Sequence, residues 1–354
     1  MNALPELRQT LGMFAGLPDI LFLFCFFLAV VALLLVPMAY LDVYVRRKFF
    51  ADLQARVGPA EAGPRGYFQP LADFFKLIQK SPAHKPRRAE LFWLGTLLCV
   101  ALASVLTIPL SSRFNLFDTD MSAFVPLIFG IILSFFFLFY GFYRRDAQGW
   151  VGMIRNTAQA LSGGFVVMVS ILCVGLAVGG YRWQAILEHQ GFWPGSWLVF
   201  QQPWPLFTIV FLAYYLGGLV VFSVSPFDAG FSRADLQGGF FQGVAGPSLS
   251  ITRLLRFYGG FFWALATTVT FLGGWKLPGW AVSLTGEGLL LQVVQLVNLV
   301  MKVFLLMFAT HWVVGSLPKP RSDQTTEFCW RILGPCALGA LLIECLWLGG
   351  RSLF

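Results

Sequence analysis

Residues 56–77 read RVGPAEAGPRGYFQPLADFFKL, a polar run punctuated by Gly58-Pro59 and Gly63-Pro64 inside a chain that is apolar over long stretches. Irregular backbone is not tolerated against lipid at bilayer depth, so this run lies at a membrane surface or lines a cavity. Arg56, Gln69, Pro70, Asp73 and Lys76 are its candidate functional residues. Three further stretches carry most of the remaining polar information. GFYRRDAQGWVGMIRNTAQALSGGF holds Arg155 and Gln159, SPFDAGFSRADLQGGFFQGVAGPSLSITRLLRF holds Phe227, Asp228 and Asp235, and LPKPRSDQTTEFCWRILGP follows an apolar run that contains Lys302. The chemistry open to such residues is charge pairing, docking, or relay of charge and protons, because an ionisable group inside a membrane is costly and kept for function. The relay candidates are Asp228, Asp235 and Lys302, with Asp73, Asp146 and Asp42 beside them. Asp228 and Asp235 share a face only if their loop is helical, and pairing of either with Arg233 or Arg256 is the structural alternative. Asp42 reads as interfacial or functional, and Lys302 as a functional charge or as a lysine reaching back to the interface. His84 and His311 lack ligand spacing, His189 falls in a loop on the other side, and none of the six cysteines forms a CxxC pair. Buried inert thiols are therefore expected, with no metal, no catalytic residue, and no haem or iron–sulfur cofactor held by this chain.

The elements that must position these residues are membrane helices. The 354 residues are 57% hydrophobic and only 12% charged, with a mean hydropathy of +0.72. Soluble domains carry roughly a quarter charged residues, so the fold class is an all-α polytopic membrane protein, residues 1–354 forming one membrane domain. Spans of about 20 apolar residues fall near 18–42, 91–112, 122–143, 159–181, 204–225, 254–274, 287–316 and 331–350, eight in all. Residues 1–17 suit a short surface helix, and no cleavable signal peptide is evident. Apolar positions 67, 68, 71, 74, 75 and 78 recur at helical spacing and predict an amphipathic surface helix. That helix belongs to a cytoplasmic loop over 43–90, and a second such loop covers 226–253. Of the 25 Lys and Arg, nineteen fall in the loops after odd-numbered spans and five in the other loops and termini. The positive-inside rule then places the basic loops in the cytoplasm and both termini outside. The net charge of +8 calls for anionic lipid or an acidic soluble partner at the inner face, and not for nucleic acid. The absence of internal repeats argues against a stand-alone transporter.

The four stretches together resemble the quinone-junction membrane subunit of respiratory complex I, the NADH:quinone oxidoreductase, a family that also includes the membrane subunit of energy-converting hydrogenases. The resemblance rests on Arg56, Gly58, Pro59, Gly63, Pro64, Gln69, Pro70, Leu71, Ala72, Asp73, Lys76 and Leu77 in the first stretch. It continues through Gly152, Arg155, Ala158 and Gln159, through Pro226, Phe227 and Asp228, and through Lys302, Trp312, Leu317, Pro318, Pro320, Arg321, Asp323, Gln324, Trp330 and Pro335. It implies eight membrane helices in a bacterial inner membrane. It also implies partners in the form of other membrane-arm subunits and a soluble iron–sulfur arm, and a quinone-accessible pocket built by the cytoplasmic loops. Arg56, Gln69, Pro70, Asp73, Lys76, Arg155, Gln159, Phe227, Asp228 and Asp235 would line that pocket or dock the arm, with quinone as a substrate of the complex. Where the family carries glutamates, this chain has Arg46, Ser81, Gly164, Phe231, Arg233, Gly243 and Arg256. Gly cannot titrate and Arg stays protonated, so the resemblance implies a subunit whose acidic proton-coupling residues are largely lost. A membrane anchor that recruits another respiratory enzyme, and a hydrogenase membrane subunit, remain as alternatives.

Overall fold

The computed structural model describes residues 42–80, 94–97, 100, 104–112, 118–144, 147–201, 203–231, 239–241, 244, 246–285 and 289–353. All regular elements among these are helical. A helix over 42–53 (α1) leads through the Gly/Pro run to Gln69–Gln79 (α2). Val125–Tyr143 (α3), Ala147–Val178 (α4) and the short Trp183–Glu188 (α5) follow. Then come Leu206–Val221 (α6), Pro247–Phe271 (α7), Gly279–Thr285 (α8) and Leu289–Ser316 (α9). Ser322–Phe328 (α10), a π turn at Cys329–Leu333 and Gly334–Leu353 (α11) complete one continuous helical rod.

Among the described residues, four helices are long and apolar enough to cross a bilayer: Ser122–Tyr143, Ala147–Val178, Leu290–Ser316 and Ser322–Gly350. At 1.5 Å per residue, the 25-residue α7 also reaches about 37 Å, but it carries Arg253 and Arg256 in its first turns. The 16-residue α6 reaches only about 24 Å and spans less than the roughly 30 Å hydrocarbon layer. The first expected span, apart from Asp42, lies outside the described residues, as do residues 1–17, 81–93, Asp146 and Asp235.

Helix α4 is the hub, packing on α3, α6, α10 and α11, while α7 holds α9 on its other side. Small residues set the closest approaches, as expected where apolar burial gives no drive between helices in lipid. A Cβ on Gly163 would sit 2.6 Å from the Gly217 carbonyl, and one on Gly218 would strike the Trp263 indole. The removed side chains leave room for large rings elsewhere. Tyr214 stacks on Trp263 at 4.4 Å, and Phe129 meets Phe222, Tyr258 and Phe262 within 6.3 Å.

Three boundaries differ from the sequence reading. Helix α4 begins at Ala147 and not near 159, because Gly152 and Asn156 pack on Gly230 and Thr157 donates to the Met153 carbonyl one turn back, extending the helix past the apolar run. Helix α7 begins at Pro247, so the last seven residues of the 226–253 loop are helical. Gly246 at φ +67° turns the chain and Pro247 supplies a pre-set first helical position. The last rod starts at Ser322, where the Arg321 N–H donates to Gln324 Oε1 at 3.0 Å. The thiols also divide. Cys173 and Cys329 are buried, as expected, whereas Cys336 and Cys345 are exposed on the outward face of α11, and Cys25 and Cys99 lie outside the described residues. An apolar run marks a span but does not say which face of it meets the bundle.

Candidate functional site at the basic mouth of the bundle

The Gly/Pro run folds as a tight ledge. Gly66 adopts φ +73°, and a Cβ there would collide with the Pro59 carbonyl at 2.1 Å, so only glycine fits. The ledge delivers α2, whose Gln69 Nε2 donates to Asp73 Oδ1 at 2.9 Å. Asp73 Oδ2 pairs with Arg47 of α1 at 2.6 Å. The spacing of Gln69 and Asp73, one helical turn, thus ties the surface helix to α1. Tyr44 and Tyr67 meet edge to face at 5.2 Å beside the same joint. Arg56 Nε donates to Gln54 Oε1 at 2.8 Å, and Lys76 is exposed. Arg46, Arg47 and Arg56 line a cleft of about 330 Å³ with Phe50, Val57, Gly58 and Pro59.

The second centre is Asp228, only 6% exposed. Ser225 Oγ donates to its Oδ2 at 2.9 Å, Arg256 pairs with Oδ2 at 3.2 Å, and Lys319 pairs with Oδ1 at 3.0 Å. Burial would raise this carboxyl's pKa, but Arg256 and then Lys319 outweigh burial and hold it below the ordinary value. The Arg256 guanidinium also lies over the Phe231 ring at 4.3 Å and near Phe241 at 5.7 Å. It donates to the Ser223 carbonyl at 3.4 Å. The loop carrying these groups is pinned to α4, where Ser223 bonds Asn156 and Gly230 packs on Gly152 and Asn156. Phe227 stacks on Phe328 at 6.3 Å. Helix α2 lies against α7, and Arg46 is near enough to Arg256 for their charges to repel. The two centres therefore share one mouth.

The remaining candidates separate. Arg155 is exposed on α4, whereas Gln159 one turn on is fully buried with neither amide atom partnered among the described residues. Lys302 is far from Asp228: its Nζ donates to the Leu272 and Gly274 carbonyls at 2.8 and 3.0 Å, closing the C-terminus of α7, and sits 5.0 Å over Trp197. A cation at a helix C-terminus satisfies carbonyls left open there. Of the pairings weighed for Asp228, Arg256 forms, while Arg233 and Asp235 lie outside the described residues.

Two groups, Lys319 and Glu344, and the partner of Asp42 were not legible in the sequence. Lys319, between two prolines, reaches back 91 residues to Asp228, and nothing local announces that. Asp42 pairs with His311 across α1 and α9, both buried. Glu344 is 3% exposed on α11, near Cys173 of α4. Its being the one carboxylate in the 331–350 apolar run was the available signal.

Long apolar helices packed through small residues, with Asp73 and Asp228 paired to cations where the surface helix meets α7, define a helical membrane protein. The chain belongs to the NADH dehydrogenase family, whose profile matches residues 25–345. It is similar to the H subunit of the NADH-quinone oxidoreductase of Chlorobaculum parvum, 27% identical over 317 residues and covering 86% of each chain. The corresponding NADH-quinone oxidoreductase protein of Chlorobaculum tepidum is equally similar, 27% identical over 316 residues with 86% of each covered.

Proposed function

We propose that this chain is the membrane-arm junction subunit of a bacterial complex I-like NADH:quinone oxidoreductase. It crosses the inner membrane about eight times with both termini outside. Its basic mouth faces the cytoplasm, docks the soluble iron–sulfur arm, and contributes to a quinone-accessible pocket. The observation that carries the reading is the joining of the family-matching stretches in three dimensions. The Arg56–Leu77 run, the Pro226–Asp228 turn and the Pro318–Arg321 turn meet through Arg47–Asp73, α2 against α7, and Asp228–Lys319. This chain holds no redox centre of its own in the proposal, and quinone is a substrate of the complex.

One observation favours a second reading in which the subunit anchors without relaying protons. Phe231 and Arg256, two positions where the resemblance expects glutamate, pack on each other, and Arg256 locks Asp228. A carboxylate neutralised by two cations is a poor proton carrier, because its charged form is favoured at every physiological pH. Anchoring alone, including recruitment of another respiratory enzyme or a hydrogenase, would need only the docking surface.

The test is quinone turnover by the assembled complex carrying Arg155→Ala. Arg155 is exposed, so the bundle tolerates the change. The proposal expects reduced quinone turnover or weakened retention of the soluble arm. Turnover and arm retention equal to those of the unaltered complex would reject it.

A further inference from the structure

The connection from α5 into α6 lies at the end of α7 far from Arg256. Gln190 Nε2 donates to the Thr270 carbonyl at 2.8 Å, and Thr270 lies about 21 Å along α7 from Arg256 at 1.5 Å per residue. Residues 190–227 hold no Asp, Glu, Lys, Arg or His, so this connection is uncharged throughout. Charged residues collect where a chain meets water, and here the surface is aromatic instead. Trp193, Phe200 and Trp204 are between 49% and 69% exposed, and Trp280 of α8 is 67% exposed. Tryptophan is enriched at membrane borders, where its ring lies among acyl carbons and its indole N–H meets headgroup oxygens.

Helix α6 gives the reason for chain at that depth. Its 16 residues cover about 24 Å, roughly 6 Å less than the hydrocarbon layer, so irregular chain beside it must lie within the bilayer. Irregular backbone is tolerated there only where protein groups satisfy its polar atoms. The Gln190–Gln201 stretch meets that condition with its own side chains. Gln201 Nε2 donates to the His189 and Ser196 carbonyls at 3.0 Å each. Trp197 Nε1 donates to the Phe192 carbonyl at 3.0 Å, and Ser196 Oγ to the Trp193 carbonyl at 2.7 Å. Thr208 Oγ1 donates to the Val199 carbonyl at 2.9 Å, and Lys276 Nζ to the Gln190 carbonyl. Carbonyls that a loop in water leaves to solvent are thus taken up within the protein.

We infer that the Gln190–Gln201 stretch, with Trp204 and Trp280, is a membrane-inserted shelf, seated at the headgroup–acyl border on the side of the bilayer opposite Arg256, with phospholipid as its partner. The inference does not depend on the junction reading, since the bilayer surrounds the chain whichever subunits join it.

The experiment attaches bimane to Trp193→Cys, Trp204→Cys, Trp280→Cys and Glu188→Cys, one at a time. The protein, purified with whatever subunits accompany it, is returned to phosphatidylcholine vesicles, and the unaltered protein gives the signal of the native thiols. Quenching is read with iodide in the water and with phosphatidylcholine carrying a nitroxide high on one acyl chain. Glu188 is exposed and charged, so bimane there should be quenched by iodide. At positions 193, 204 and 280 the nitroxide lipid should quench, and iodide should act about tenfold less than at 188, because an ion is excluded from bilayer depth. Unchanged helical circular dichroism shows that a variant is folded, and Phe200→Cys replaces any that is not. Iodide quenching at 193, 204 and 280 equal to that at 188 would place the stretch in water. Protection from both quenchers would place it under another protein chain. Either result overturns the inference.

Discussion

Replacing Asp228 by Asn removes the carboxylate that faces Arg256 and Lys319 while keeping its shape. Deleting one partner of a buried ion pair costs about 3–5 kcal/mol, because the other charge is left uncompensated. Here Arg256 keeps the Phe231 face at 4.3 Å and the Ser223 carbonyl at 3.4 Å. A desolvated cation–π contact is worth up to about 2 kcal/mol, so the loss should fall near 2–3 kcal/mol. Lys319 is 55% exposed, so its share is under about 1 kcal/mol after solvent screening. The assay is denaturant-induced loss of helical circular dichroism in detergent for Asp228→Asn, Arg256→Gln and the double variant. The two changes should be strongly non-additive, with a coupling of about 1.5 kcal/mol or more. Additive effects would refute the claim that these residues form one locked pair.

Three further outcomes follow from the same geometry. Asp228 is held below its unfolded value of 3.8, so its ion pairs stabilise fully above about pH 5 and fade as pH falls through the lowered value; the stability gap between the unaltered protein and Asp228→Asn should therefore close in acid. Gly164→Glu would push a carboxyl between Ile131 and Leu127, whose methyl carbons stand 3.4 and 3.5 Å from a Cβ there. A charge at a helix centre costs about 3 kcal/mol, so reduced yield of assembled protein is expected, with no gain in proton uptake by proteoliposomes. Lys302→Met removes two carbonyl hydrogen bonds and should lower stability by about 1–3 kcal/mol. Proton translocation should be unaffected, and a collapse of pumping in this variant would show that Lys302 carries charge.

What the sequence made legible was governed by local physics. Apolar run length marked 122–143 and 287–316 to within a few residues of the helices found, because hydropathy alone decides what can lie in lipid. The amphipathic spacing of 67–78 gave α2 for the same reason. Helix ends at Ala147 and Pro247 were less legible, since tertiary packing and a glycine turn extended helices into polar sequence. The site residues divided in the same way. Gln69 and Asp73 are one turn apart, and their contact could be read from spacing. The partners of Asp228 come from positions 256 and 319, and the Asp42–His311 pair joins residues 269 apart. Such pairings depend on which helices become neighbours. Lys302 is the sharpest instance: its sequence left open a functional charge or a lysine reaching to the interface, and only the packing brings it to the open carbonyls at the end of α7.

A junction subunit is defined by its partners, and co-purification reads them directly. The tagged protein, purified from its native membrane in mild detergent, should bring down other membrane-arm subunits and iron–sulfur subunits in fixed ratio, with quinone reductase activity in the preparation. Recovery of a stable, monodisperse single polypeptide without such partners would contradict the account.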